Sequence, residues 1–234
     1  MEMELRAQYY RITRRYLPWL SNNGYTSCQI VAKTSYKGSV WPYRWIRAKR
    51  SGACYVIFEK NDVERRRKRL CPLAELKAVL HKVPAASKIV EIIPFKPKVL
   101  VALEEASGFM NLWEIERSCE LPSRSELESA LIQLLESLEA INWVHGDIRP
   151  WNIFFDPKGR IFIFIDWWES KTKNPENAEK DRQDVRNILS LFDGNATLED
   201  LWGHPYFTMT WSPNWVRRGR VPKGILRFNP AFNL

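Results

Sequence analysis

The stretch HGDIRPWNIFFDPKGRIFIFID, residues 145–166, decides the fold of this chain. Two apolar runs, Ile153 to Phe155 and Ile161 to Ile165, flank the sequence Asp156-Pro157-Lys158-Gly159, whose residue types favour a turn. The pattern predicts a compact β-hairpin. Because both faces of the two strands are apolar, the hairpin is expected to be buried.

Polar residues stand where this hairpin opens. The turn folds the chain back, so Asn152 and Asp166 are predicted to meet at the open end, with a bulge or a longer loop absorbing an imperfect register. Their side-chain oxygens are the hard ligands that Mg²⁺ prefers. Asp147 adds a carboxylate that can orient an attacking hydroxyl and take its proton. Phosphoryl transfer requires groups of these kinds.

The pattern H-x-D-x-x-x-x-N, followed by a hairpin and an aspartate, resembles the catalytic and metal-binding loops of the protein-kinase-like superfamily. With Gly146 in the loop and Trp167 directly after Asp166, the motif is similar to that of aminoglycoside and choline phosphotransferases. It also resembles the motif of atypical minimal protein kinases and of lipopolysaccharide-core kinases. Arg149 makes the loop more similar to that of protein kinases, which have a basic residue at this position. The resemblance covers roughly residues 28–192.

This resemblance implies ATP and Mg²⁺ as cofactors and assigns roles within the loop. It makes Asp147 the catalytic base and makes Asn152 and Asp166 the magnesium ligands. Arg149 would help to position the γ-phosphate. His145 would be a scaffold residue, bonded inside the loop rather than taking part in the chemistry.

Five β-rich runs and one helix are predicted in the first half of the chain. The runs are 29–33, 40–49, 53–58, 88–93 and 98–103, and the helix spans 72–83. A helix-like spacing in the first twenty residues stops after Pro18. In the superfamily a lysine at the end of the third strand pairs with a glutamate on the next helix. Lys60 and Glu75 fit these positions, with Lys49 and Glu64 as competitors.

Two further nucleotide contacts follow from the resemblance. Gly38 is the one glycine in the sequence between the first two strands, where family members often place several so that backbone N–H groups approach phosphate. The hinge is predicted at Leu103 to Gly108. There the backbone around Glu105 would bond the adenine edge, and Val101 would line the pocket.

The second half is predicted to be mainly helical. An amphipathic helix is expected at 125–142, with a capping box from Ser125 to Glu128, and another helix around 181–192. Asp184 is expected either to anchor the catalytic loop or to be a capping or surface residue. The stretch between Asp166 and Asp184 is too short for the phosphosite and peptide-docking segment of a regulated protein kinase.

Together these elements predict an α+β, two-lobed protein-kinase-like fold. The N-lobe is expected to be a small antiparallel β-rich unit with one helix, and the C-lobe to be mainly helical. The predicted organisation is an N-terminal helical extension at 1–27, an N-lobe at 28–104 and a C-lobe at 105–234, which form one kinase-like domain overall.

The chain has 234 residues and a formal net charge of +9. The basic run at 64–69 and a second cluster, Arg217, Arg218, Arg220 and Lys223, suggest an acidic protein or nucleic-acid partner, or else two solvated faces. No nucleic-acid-binding motif accompanies them. A charged N-terminus, cysteines without paired spacing and the lack of an apolar run of about 18 residues predict a cytoplasmic protein with no membrane span.

The leading functional hypothesis is an ATP- and Mg²⁺-dependent kinase that phosphorylates Ser or Thr of a protein. The short stretch after Asp166 and the Asp-Trp pair keep open a small-molecule or sugar acceptor. The single glycine at position 38 and the basic runs keep open a third hypothesis, a pseudokinase or ATP-gated binding module.

Overall fold

The computed structural model describes residues 12–34, 40–61, 70–96, 98–106, 109–112 and 121–195, together with the single residues 63, 65 and 68. These residues form two compact units. The first contains the described residues up to 61 and those of 89–105. The second contains the described residues of 63–88 and of 106–195.

The first unit contains a five-stranded antiparallel sheet. Its strands are β1 (Thr26–Thr34), β2 (Val40–Arg50), β3 (Ala53–Lys60), β4 (Ile89–Phe95) and β5 (Lys98–Glu104), in the order β1-β2-β3-β5-β4. Ser51 and Gly52 join β2 to β3 with φ values of 51° and 83°, the left-handed conformation that a two-residue type I′ turn requires. The predicted α+β class with a small antiparallel sheet is therefore confirmed, and each predicted β-rich run is a strand.

A helical segment covers one face of this sheet. It consists of a π-helical turn, Ile12–Tyr16, followed by α1 (Leu17–Asn22). The prediction that the helix stops after Pro18 is wrong. Pro18 is the second residue of α1, and proline is tolerated at the first positions of an α-helix. Tyr16 and Leu20 are buried in the core that this segment forms with the sheet.

The second unit combines helices with short strands. Its elements are α2 (Leu73–Leu80), β6 (Met110–Asn111), α3 (Arg124–Ala140), β7 (Trp143–Val144), β8 (Ile153–Asp156), β9 (Ile161–Phe164), β10 (Lys171–Thr172) and α4 (Pro175–Phe192). Two 3₁₀ turns, Pro150–Asn152 and Trp167–Glu169, flank the β8–β9 hairpin. Helix α2, which the sequence placed in the N-lobe, belongs to this second unit.

The N-terminus of α3 differs from the prediction by two residues. The capping box is formed by Ser123 and Glu126, not by Ser125 and Glu128. The Ser123 hydroxyl accepts the Glu126 N–H at 3.2 Å, and the Glu126 carboxylate accepts the Ser123 N–H at 2.6 Å. Both sequence pairs fit the same S-x-x-E pattern, so only the start of the helix distinguishes them.

The β8–β9 hairpin is in regular register. Ile153 pairs with Phe164 and Asp156 with Ile161, so of the two predicted alternatives, a bulge or a longer loop, this hairpin has no bulge. The loop at 157–160 takes up the length difference instead. Ile153, Phe155 and Phe164 are buried as expected, whereas Ile161 is 53% exposed. The regular register continues past the strand end, where the Ile165 N–H donates to the Asn152 carbonyl at 2.9 Å.

A third segment pairs with the end of this hairpin. Ala86 forms a parallel bridge with Phe164. The Phe164 N–H donates to the Ala85 carbonyl at 2.7 Å, and the Ser87 N–H donates to the Phe164 carbonyl at 2.9 Å. The strand that leads to Asp166 is therefore hydrogen-bonded to β8 on one side and to residues 85–87 on the other.

Within the residues that the structure describes, no helix combines the length and the apolar character needed to span a membrane.

Candidate active site

His145 is fully buried and is bonded inside its own loop. Its Nδ1 accepts the Asp147 N–H at 3.2 Å, so the proton of the neutral ring lies on Nε2, which donates to the Ile165 carbonyl at 3.1 Å. Burial lowers the pKa of His145 to about 3, which keeps the ring neutral. The ring also lies 4.2 Å from the indole of Trp167, centre to centre. These are the contacts of a scaffold residue.

Gly146 occupies a position that only glycine fits. Its φ of +84° is left-handed, and a Cβ built on it would lie 2.6 Å from the backbone carbonyl oxygen of Glu169. That approach is far closer than van der Waals contact. The Gly146 found in the sequence motif is thus required by the turn that follows Asp166.

Asp181 on α4 anchors the loop. Its two carboxylate oxygens accept the His145 N–H at 2.7 Å and the Gly146 N–H at 2.9 Å. The sequence left Asp184 either as this anchor or as a capping or surface residue, and the structure shows Asp181 as the anchor. The difference arises because α4 begins at Pro175 rather than near 181, so Asp181 lies in its second turn. Asp184 instead accepts a bond from Lys180 at 2.7 Å.

Burial governs the charge of this anchor. Asp181 is 1% exposed, and desolvation raises its pKa to about 6, although the two N–H bonds and the charge of Lys180 act in the opposite direction. Lys180 also donates to the Gly146 carbonyl at 2.9 Å. The sequence reasoning missed both Asp181 and Lys180, since neither belongs to the loop motif.

Replacing Asp181 with Asn is expected to loosen the loop and to change how stability depends on pH. An amide has one acceptor oxygen, so one of the two backbone N–H groups would face its NH₂. The folded pKa of about 6 lies above the usual 3.8, so ionisation costs the folded state free energy. Wild-type stability should fall relative to the variant as pH rises from about 4 to about 6, by up to about 3 kcal/mol.

Urea unfolding of both proteins between about pH 4 and pH 7 measures this difference. Asp193→Asn, at the exposed end of the same helix, is the control and should follow the wild type. A stability difference that does not change across this pH range would contradict the raised pKa of Asp181, and equal stability of variant and wild type at every pH would contradict its role as an anchor.

Asp147 has both carboxylate oxygens engaged. Its Oδ2 accepts a bond from Asn152 Nδ2 at 2.9 Å, and its Oδ1 lies 2.6 Å from Arg149 Nε. The Nε–H does not point along that contact, so the interaction is an ion pair rather than an aligned hydrogen bond. Burial raises the pKa of Asp147, whereas the charges of Arg149 and Lys180 lower it. The guanidinium of Arg149 also lies 5.4 Å from the ring centre of Trp151.

Asn152 and Asp166 lie on the two adjacent segments of the chain that meet at the open end of the hairpin. Asn152 is 3% exposed, and its Nδ2 donates to the Asp147 carbonyl at 3.0 Å as well as to the Asp147 carboxylate. These bonds orient the amide and leave its Oδ1 as an acceptor. Asp166 has φ 64° and ψ 51°, a left-handed conformation that is costly outside glycine and is enriched at functional sites.

The side-chain oxygen atoms at this end of the hairpin are of the kinds that bind magnesium. An amide oxygen and a carboxylate are hard oxygen ligands, and Mg²⁺ is commonly bound by one or two such groups together with phosphate and water oxygens. Asn152 and Asp166 would hold it. Their roles as metal ligands remain predictions.

Lys60 ends β3, as predicted, and pairs with Val99 of β5. It shares a face of the sheet with Phe58, which pairs with Val101. Lys60 Nζ lies 5.7 Å from the centre of the Phe58 ring. Lys49, the competing lysine, is exposed on β2.

The other predicted nucleotide contacts are distributed as follows. Glu75 lies on α2, is exposed and belongs to the second unit, so its pairing with Lys60 stays a prediction. Gly38 and Glu64 lie outside the described residues. The Glu105 N–H donates to the Cys54 carbonyl at 2.9 Å, and the Glu105 carboxylate pairs with Arg47 at 2.6 Å. The Glu105 N–H is therefore already bonded to a neighbouring strand, and the contact of Glu105 with adenine stays a prediction.

The basic run at 64–69 is not simply a solvated face. Lys68 is exposed, but Arg65 is 6% exposed and is bonded within the second unit. The rest of the run and the cluster at 217–223 lie outside the described residues. The suggested acidic or nucleic-acid partner remains a prediction.

A small antiparallel sheet, a mainly helical unit and a loop in which Asn152 bonds to Asp147 at the end of the hairpin that leads to Asp166 are features of a kinase-like fold. Comparison with known families agrees: residues 5–176 match the phosphotransferase enzyme family, APH. Because this match covers more than half of the chain, the protein belongs to that family, of the aminoglycoside phosphotransferase type. No curated protein is similar enough to the chain to count as a match.

Proposed function

We propose that this protein transfers the γ-phosphate of ATP, with Mg²⁺, to a hydroxyl group of a small molecule. The observation that supports the reaction most directly is the bond from Asn152 to Asp147, 2.9 Å long, at the end of a hairpin that also leads to Asp166. This arrangement groups a carboxylate base with two oxygen ligands for a metal.

In this proposal Asp147 orients the acceptor hydroxyl and takes its proton as the hydroxyl oxygen attacks the γ-phosphorus. The bond from the γ-phosphorus to the β-γ bridging oxygen breaks, and ADP leaves with that oxygen. Burial makes its carboxylate more basic than an exposed one, and the positive charges of Arg149 and Lys180 keep it ionised. His145 and Asp181 hold the backbone on which Asp147 stands. Asn152 and Asp166 would hold Mg²⁺, which would neutralise part of the charge of the phosphates.

Contacts with the nucleotide are proposed for residues of the first unit as well. Lys60 would pair with the phosphates, and the Glu105 carbonyl would accept a hydrogen bond from the amino group of adenine. Glu75 and Gly38 are retained as predicted contacts. Arg149, now paired with Asp147, would turn part of its guanidinium to the γ-phosphate.

The chain between Asp166 and α4 supports a small acceptor. This segment, residues 167–174, is short, and part of it packs within the second unit. Trp167 and Ser170 are buried, and Lys171 and Thr172 pair with Val144 and Trp143. An extended peptide-docking segment does not fit into so short a connection, which favours a small acceptor. A Ser or Thr residue of a protein is the second candidate, supported by Arg149 in the position where protein kinases have a basic residue.

Thermal-shift titration with ATP, with and without Mg²⁺, followed by transfer of label from γ-labelled ATP, tests both candidates. Bound nucleotide should raise the Tm, because it binds the folded state. Label in a panel of hydroxyl-bearing metabolites, sugars and amino alcohols supports the proposal. Label only in a protein panel would select the second candidate, and binding without any transfer would leave an ATP-binding module.

A further inference from the structure

Arg65 is a buried cation whose partners are not acids. Its side chain is 6% exposed. Nε donates to the Cys71 carbonyl at 3.1 Å, Nη1 to the Trp168 carbonyl at 2.7 Å, and Nη2 to the Cys71 sulfur at 3.7 Å. Within the described part of the chain, no carboxylate is among these partners. Burying a charge without a counter-charge is expensive, so the bonds it makes are expected to serve a purpose.

The carbonyl that Arg65 binds belongs to the turn that begins at Asp166. Trp168 is the middle residue of the 3₁₀ turn Trp167–Glu169, and Asp166 is the residue directly before that turn. Arg65 Nη1 donates to this middle carbonyl at 2.7 Å.

Neighbouring bonds hold the same turn from other sides. The indole N–H of Trp167 donates to the Phe164 carbonyl at 2.8 Å. The Cys71 thiol donates to the Ser170 carbonyl at 3.6 Å, and the Ser170 hydroxyl donates to the Val144 carbonyl at 2.7 Å. The chain after Asp166 is therefore held by Arg65 and Cys71, while the chain before it is held by Asn152 and by residues 85–87.

We propose that Arg65 is a positioning residue for the metal site. It holds the turn Trp167–Glu169 so that Asp166 keeps its left-handed conformation and presents its carboxylate to Mg²⁺. The inference rests on the proposed function, since it takes Asp166 to be a magnesium ligand. It also gives a reason for a charged residue at a buried position where a neutral one would be less costly.

The test compares Arg65→Met, which keeps the volume but has no donors, with Arg65→Lys, which keeps the charge but cannot reach both carbonyls. Arg186→Met, on the exposed side of α4, is the control. At saturating ATP, the Mg²⁺ concentration for half-maximal activity should rise about tenfold or more in the Met variant and less in the Lys variant, in the range found when residues behind metal ligands are replaced. Binding of ATP without metal should not change.

A second readout separates this inference from the proposed function. Mn²⁺ binding in the presence of ATP, followed by electron paramagnetic resonance, reports the metal site whether or not phosphate is transferred. Weaker Mn²⁺ binding in the Arg65 variants, with the Arg186 variant unchanged, supports the inference even if no acceptor is phosphorylated. If the Met variant does not fold, the Lys variant decides. Unchanged Mg²⁺ and Mn²⁺ dependence in a folded variant would overturn the inference.

Discussion

Asp147→Asn is expected to lower the rate of phosphoryl transfer by about 10²–10⁴-fold, the usual contribution of a positioned general base. The amide is the same size as the carboxylate but cannot take the hydroxyl proton. The acid side of the wild-type pH–rate profile should come from protonation of Asp147, whose raised pKa moves this limb upward in pH. The variant should lose that limb. Initial rates with γ-labelled ATP across pH measure both effects.

Nucleotide binding should be unaffected by Asp147→Asn, in contrast to the rate of phosphoryl transfer. The Tm increase with Mg-ATP should be kept in Asp147→Asn, because Asp147 is assigned to the acceptor and not to the metal. Asp156→Asn is the matched control: it lies at the far end of the same hairpin, where its carboxylate accepts the Lys158 N–H at 3.0 Å. If Asp147→Asn and Asp156→Asn are equally active, Asp147 is not the base.

Gly146→Ala is expected to destabilise the protein and to abolish most of its activity. Alanine at φ +84° would be strained, and its Cβ would lie 2.6 Å from the Glu169 carbonyl oxygen, which is backbone and cannot simply rotate away. We expect a loss of about 2 kcal/mol or more, which corresponds to a fall in Tm of about 4–8 °C for a chain of this size. Activity should fall further, because Asp147 is the next residue.

Gly52→Ala isolates the close contact. Gly52 has nearly the same φ, +83°, but no atom lies within 4 Å of a Cβ placed there. It therefore carries the conformational strain without the collision. Thermal denaturation should show a clearly smaller loss for Gly52→Ala, with activity kept. Equal losses in the two variants would mean that the approach to Glu169 has no effect.

Much of the fold was predictable because it is written in local patterns. The β-rich runs of the first unit, the hairpin and the long amphipathic helix follow from periodicity and turn residues, which act over a few neighbours. The errors lie at element ends. Pro18 was predicted to end the helix, although proline is also common in the first turn of a helix. Ser125 was predicted as the capping residue in place of Ser123, and the S-x-x-E pattern does not distinguish the two because both begin it.

The candidate site was predictable to the extent that it lies in one continuous segment. Asp147, Asn152 and Asp166 belong to a single loop and hairpin, so spacing alone indicates that they meet. Asp181 and Arg65 come from distant parts of the chain, and nothing in their local sequence indicates that they bond to the backbone of that segment. Asp184 was as good a candidate as Asp181 until the start of α4 was known.

The sequence by itself determined the reaction class, because the types and order of the residues between His145 and Asp166 specify which groups are available. The tertiary structure decided what holds those groups in place. It made Gly146 obligatory through the Glu169 carbonyl, chose Asp181 as the anchor and buried Arg65 behind the turn after Asp166. The physical reason is that burial and long-range hydrogen bonds depend on which segments pack together, and periodicity describes only one segment at a time.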